Sequence, residues 1–181
     1  MIIYKDVLTG AELFTDAYSV TEEDGLYIVR GKHITVSTDT SNIDIGANAS
    51  QDPDAEDIPA DELGGDAHTQ SGVDVIILNK LVKQEFGERK QYMDHLKAYF
   101  HQLKQYVNKV TPKRVEDMEK DLNNFVKKYT KSKVFKNLEF YTSQDDPEFE
   151  GMYAILDYRE EDGNEYPCVM FFKDGVTQVK C

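Results

Sequence analysis

The side chains best suited to chemistry are few and scattered. The four histidines are His33, His68, His95 and His101. His95 and His101 stand six residues apart, which sets them about 120° from each other around a helix, so they cannot make the paired i, i+4 metal ligands of a helical zinc site. The two cysteines, Cys168 and Cys181, have no histidine close in sequence that would act as a base, and a reactive thiolate needs such a partner. No phosphate-cradling glycine loop of the form G-x-x-x-x-G-K-[ST] or G-x-G-x-x-G is present. The string most like a metal site is Asp52-x-Asp54-x-Glu56, which imitates the opening of a calcium loop. Its sixth position, where glycine makes the sharp turn, is Asp57, and its twelfth, where a bidentate glutamate belongs, is Leu63. What remains is weak, diffuse calcium binding by clustered carboxylates, with no cofactor implied. These residues predict a protein that is not an enzyme.

The carboxylates lie in a distinct stretch. Residues 37–72 hold nine acids and no lysine or arginine, with two prolines and four glycines. The stretch has neither a helical nor a strand period, so it is expected to form a long, mobile acidic loop. Lys80–Lys133 is the opposite, with 14 of the 21 basic residues and seven acids, a local net of +7. The remaining seven basic and 27 acidic residues leave a net of −20 elsewhere. The overall formal charge of −13 argues against sequence-independent nucleic-acid binding. The basic segment either solvates a helical surface or meets an acidic partner.

The elements that carry these charges are legible as pattern. Ile2–Val7, Leu13–Val20, Leu26–Arg30 and His33–Val36 read as short strands separated by glycine and acid-rich breaks, and Val73–Leu78 as a further strand. Met93, Leu96, Phe100, Leu103, Val107 and Val110, preceded by Phe86, place one apolar stripe on a helix from about Gln84 to Val110. Tyr92, Tyr99 and Tyr106 widen it at heptad spacing, which fits core packing better than a base-stacking platform. Thr111 as N-cap and Pro112 as first helical residue open a second helix to about Lys131, with Val115, Met118, Leu122, Phe125, Val126 and Tyr129 inward. So short a connection makes 84–131 an antiparallel helical hairpin. Strands return at Leu138–Tyr141, Met152–Arg159 and Cys168–Lys173, the last two joined by a longer loop across Glu160–Pro167. Strands, helices, then strands predict an α+β fold in one domain over 1–181. The start lacks the features of a signal peptide, and no apolar run approaches the roughly 18–20 residues of a membrane span. With two cysteines, a reducing cytoplasmic setting is expected.

Several motifs resemble the translationally controlled tumour protein family, in family order and across the chain. They are the opening Met1–Asp6 with Glu12-Leu13-Phe14, then Ile45-Gly46-Ala47-Asn48-Ala49-Ser50, Gly72-Val73-Asp74 and Pro112-x-Arg114-Val115. The longest are Leu156-Asp157-Tyr158-Arg159-Glu160 and Phe171-Phe172-Lys173-Asp174-Gly175, with Lys180-Cys181 at the end. Two departures stand out: Tyr141 is followed by Thr142-Ser143-Gln144 where the family has Gly-Glu, and Leu78 precedes Asn79 where an asparagine is expected earlier. The resemblance implies a β-tent of mainly antiparallel strands with a projecting helical hairpin, similar to Rab-GTPase-binding chaperone and exchange proteins. It implies growth-related, calcium-binding, tubulin-associated and anti-apoptotic roles, the last through Bcl-family proteins, and an extracellular histamine-releasing role after non-classical secretion. It points to Glu12 as a carboxylate contacting a Rheb- or Rab-type small GTPase.

Two site assignments follow. The acidic partner surface, tubulin by resemblance, is expected on Lys97, Lys104, Lys113, Arg114, Lys120, Lys127 and Lys128, which mostly lie off the apolar stripes. Cys181, as the last residue, is expected to be exposed, and Cys168 to be shielded within its strand. The chain is then a monomer that can form a Cys181-linked dimer on oxidation.

Overall fold

The computed structural model describes residues 1–37, 69–146, 148 and 150–181. Among these, the strands form three antiparallel sheets. β1 (Ile2–Asp6), β2 (Glu12–Thr15) and β11 (Val176–Lys180) make a small sheet in the order β11-β1-β2. The large sheet runs β3-β4-β10-β9-β8-β7, from β3 (Ser19–Glu23) and β4 (Leu26–Arg30) to β7 (Leu81–Gln84), β8 (Glu139–Ser143), β9 (Ala154–Glu161) and β10 (Asn164–Phe172). β5 (His33–Ser37) and β6 (Thr69–Val73) pair only with each other. The helices are α1 (Asp74–Leu78), α2 (Arg89–Val110), α3 (Val115–Tyr129) and α4 (Ser132–Phe135). The architecture is α+β, with antiparallel sheets and an antiparallel helical hairpin made by α2 and α3.

The core forms where β10 is covered on both faces. Cys168–Phe172 are all buried, because successive side chains on a strand point to opposite sides and each side here has a cover. Phe171 meets Phe14 of the small sheet, with ring centroids 4.5 Å apart, and Phe14 stacks on Tyr4. Phe172 points the other way and is boxed by Phe100 of α2 and Phe125 of α3, at 5.0 and 4.9 Å. Pro167 sits in this central strand where its pairing with β4 ends. β4 registers with β10 only from Cys168 onward, and the Pro167 carbonyl accepts the Gly31 N–H.

Several sequence expectations need correction. The segment expected as a strand from Val73 is strand only to Val73 and continues as α1. An apolar run this short does not distinguish strand from helix. Asp74 decides it: its Oδ1 accepts the Lys32 and Val75 N–H groups, fixing the start of a helical turn. Leu13–Val20 is two strands in different sheets, broken by a turn at Asp16, whose side chain accepts the Ile2 N–H. The first long helix starts at Arg89 rather than Gln84, since Leu81–Gln84 pairs with β8 and the Gly87 N–H is taken by the Gln91 side chain. Thr111 makes no side-chain cap, and Pro112–Arg114 is a 3-10 turn before α3, with Pro112 at its first position. The β9–β10 connection is not a longer loop. Glu161 pairs with Asn164 across Asp162-Gly163, whose φ values of 52° and 80° are those of a tight hairpin turn. The acidic segment is shorter at its ends than 37–72, because Ser37 pairs with Thr69 and Gly72 with Ile34. The expectation of mobility for residues 38–68 lies outside the described residues.

Candidate protein-binding surface

The basic side chains divide into two sets by what they touch. α2 buries Tyr92, Leu96, Tyr99, Phe100, Leu103 and Val107, and α3 buries Met118, Phe125 and Tyr129. This fixes which face of each helix meets the sheet and which meets solvent.

Three of the seven assigned cations are tied into the fold. Arg114 donates through Nε to Asp174 at 2.7 Å, and through Nη2 to both Asp121 and Asp174 at 2.7 and 3.1 Å. Its side chain is only 30% exposed, and the hydrogen bonds from Asp174 raise its pKa further. Lys128 reaches Glu23 at 3.1 Å, and Arg159 reaches the same carboxylate at 3.0 Å while donating to the Tyr129 hydroxyl. These two donors, Arg159 first, hold Glu23 below the usual carboxylate range. Lys104 pairs with Glu119 across the two helices. Arg114 therefore clamps the hairpin to the turn after β10, Lys128 clamps it to β3, and Lys104 ties one helix to the other.

Lys97, Lys113, Lys120 and Lys127 are different. All four are exposed, and among the described residues none has a carboxylate within 4.0 Å. Lys120 and Lys127 stand seven residues apart on α3, which spaces them at roughly 10 Å, and Lys113 lies in the 3-10 turn that precedes it. The structure thus leaves Lys97, Lys113, Lys120 and Lys127 outward and ties Lys104, Arg114 and Lys128 to carboxylates.

Glu12 is exposed on β2, an edge strand of the small sheet, opposite Lys5. Cys181 is exposed and Cys168 is fully buried, as expected, and both thiols are free. Burial pushes the Cys168 thiol up to about 11, so its thiolate is scarce at neutral pH. Cys181 is less loose than a terminal residue suggests, since its N–H donates to the Met1 carbonyl at 2.9 Å. Asn79, displaced relative to the family pattern, reaches back to the Val75 carbonyl at 2.7 Å and closes α1.

Among the described residues no three His, Cys, Asp or Glu side chains gather as a metal site. Asp52, Asp54 and Glu56 lie outside the described residues, and the calcium expectation with them. Sequence reasoning missed two buried carboxylates. Asp6 accepts the Met152 and Leu8 N–H groups, and burial, partly offset by these bonds, pushes its carboxyl up. Asp146 accepts the Glu150 and Gly151 N–H groups. Together they pin residues 150–152 beside β1. The Asp146 bonds and the Asp6–Leu8 bond are local turn contacts, whereas the Asp6–Met152 bond spans 146 residues and no spacing rule in the sequence marks it.

The family model described as translationally controlled tumour protein matches residues 1–177. The translationally controlled tumor protein homolog of Xenopus laevis is 40% identical, with full coverage of both chains. That of Aedes albopictus is 37% identical over 99% of each chain. Among solved structures, the translationally controlled tumor-associated protein of Schizosaccharomyces pombe superposes with a TM-score of 0.74 at 32% identity over all of both chains. The Caenorhabditis elegans protein gives a TM-score of 0.69 at 26% identity, over all of this chain and 99% of that one.

Proposed function

The chain belongs to the translationally controlled tumour protein family, and we propose that it is a non-enzymatic interaction protein whose outward-facing hairpin lysines bind an acidic protein surface. The observation that carries this reading is the partition of the hairpin's cations. Lys97, Lys113, Lys120 and Lys127 face solvent without a carboxylate among the described residues, although the chain as a whole carries −13. A basic patch on an acidic molecule orients it toward an acidic partner and makes the encounter salt-dependent. The acidic surface of tubulin, suggested by the family resemblance, is the partner to test. Reversing Lys97, Lys113, Lys120 and Lys127 to glutamate together should lower co-sedimentation with microtubules about tenfold or more at low salt, and flatten its salt dependence. Undiminished sedimentation would place the interface elsewhere.

A second reading is favoured by the position of Glu12. A carboxylate exposed on an edge strand can reach into a small GTPase and compete for the lysine or magnesium that holds its phosphates. If this chain accelerates nucleotide release from a Rheb- or Rab-type GTPase, Glu12→Val should remove the acceleration and leave the circular dichroism spectrum intact. A wild type that releases no nucleotide ends this reading before the variant is made.

Cytoplasmic residence fits both readings, and non-classical release would bring Cys181 into an oxidising medium. Its exposed thiol then links two chains, while Cys168 stays inert. Non-reducing electrophoresis after mild oxidation should show a dimer for wild type and Cys168→Ser and none for Cys181→Ser. A dimer band surviving Cys181→Ser overturns the assignment.

A further inference from the structure

The end of α2, the turn into α3 and the start of β11 enclose an open cleft of about 400 Å³, a size suited to a small organic molecule. Val107, Val110 and Val176 give it apolar walls, Tyr106 an aromatic one, and Arg114 and Lys173 line its polar side. Val110 is 61% exposed, so part of this apolar lining faces solvent at the mouth.

The sign of the ligand follows from counting donors and acceptors. A guanidinium carries five N–H donors. Three of those on Arg114 are taken, through Nε and Nη2, by Asp174 and Asp121. The nearest carboxylate to Nη1 is Asp117, at 3.7 Å, too far for a hydrogen bond. Among the described residues, both Nη1 donors are therefore unshared. Lys173 makes one bond, to Glu22 at 3.0 Å, and has two more N–H groups to give. Among the described residues Asp174 is the one acid lining the cleft, and both its oxygens already accept from Arg114. The cleft thus has spare donors and a carboxylate with its better acceptor sites filled. An anionic head is matched here and a cationic one is not.

We propose that this cleft binds a small amphipathic carboxylate, its head on the free donors of Arg114 and Lys173 and its aryl or medium-chain body against Val110, Val176 and Tyr106. A carboxylate oxygen can accept from these free donors, and the hydrocarbon part covers apolar surface that is otherwise wet.

The test is a titration of the full chain, labelled with nitrogen-15, with 4-phenylbutyrate, followed by amide chemical shifts. 4-Phenylbutylamine and inorganic phosphate are run as controls. Saturable shifts confined to residues near 107–114 and 173–177, with no matching response to amine or phosphate, are the expected result. Arg114→Lys keeps the charge but removes the free Nη1 donors and should weaken binding about tenfold. Thr177→Trp, at an exposed strand position lining the cleft, should block the body, and Val110→Asp should repel the head at the mouth; each weakens binding about tenfold or more without moving distant amides. Shifts that do not saturate, or that map elsewhere, overturn the proposal. So does an amine that binds as tightly as the acid, or undiminished binding by both Thr177→Trp and Val110→Asp.

Discussion

Replacing Phe172 by alanine should cost about 3–5 kcal/mol of unfolding free energy, a large part of a typical domain's stability. Phe172 is 6% exposed and lies between both arms of the hairpin and the large sheet. Tyr99 closes a third side, its ring centroid 6.1 Å away. Truncation removes the transfer free energy of the ring and leaves a void lined by aromatic rings that cannot collapse without shifting a helix. Edge-to-face contacts with Phe100 and Phe125 add to the loss. For a chain of this size the melting temperature should fall by about 10 °C. The chain has no tryptophan, so urea denaturation is best followed by far-ultraviolet circular dichroism. Val179→Ala, at an exposed position on β11, is the control and should change stability by no more than about 0.5 kcal/mol. A loss below about 1.5 kcal/mol for Phe172→Ala would mean that the hairpin is not seated through this contact.

The helical hairpin was the most legible part of the sequence because its signal is long. Leu96, Phe100, Leu103 and Val107 repeat over three turns, and all are buried. The stripe misleads only at its ends. Val110 is 61% exposed, and Phe86 precedes the helix, packing on Phe140 and Tyr153 from the connection. Short elements were harder. Val75-Ile76-Ile77 suits a strand by composition, yet the Asp74 carboxylate bonds to Lys32, distant in sequence, and starts a helical turn. The break between β2 and β3 depends on the Asp16 side chain reaching Ile2, another non-local bond. Pairing over such separations has no local periodicity to announce it.

Which cations could form a candidate surface was legible only in part, for a related reason. Charge type and position off the apolar stripe are read directly from sequence, and they pick out all seven cations. Whether a lysine is spent or spare depends on carboxylates from other elements. Glu23 lies 105 residues before Lys128, and Asp174 lies 60 after Arg114. The Pro-x-Arg-Val and Lys-Asp-Gly motifs are separate on the chain and meet in the fold as one ion-paired cluster.

That cluster gives the second large effect: Arg114→Met should cost about 2–3 kcal/mol. Methionine preserves much of the aliphatic stem, so the loss is chiefly electrostatic. The Asp174 side chain is 11% exposed and accepts two hydrogen bonds from Arg114, so the variant leaves a shielded carboxylate with neither. Asp121, at 25%, and Asp117, at 63%, have more access to water and lose less. The partial exposure of Arg114 itself keeps the cost below that of breaking a fully buried pair. Removing the stranded charge should return part of the loss. Arg114→Met with Asp174→Asn should be less destabilised than the sum of the two single variants, by about 1 kcal/mol or more. Simple additivity would show that the pair contributes nothing specific. The same variant separates a structural arginine from a partner-binding one. Under conditions where Arg114→Met remains folded, its microtubule sedimentation should stay within about twofold of wild type, whereas the four-lysine reversal loses most of it. If Arg114→Met, still folded, loses sedimentation as fully as the lysine reversal, Arg114 belongs to the interface as well as to the clamp.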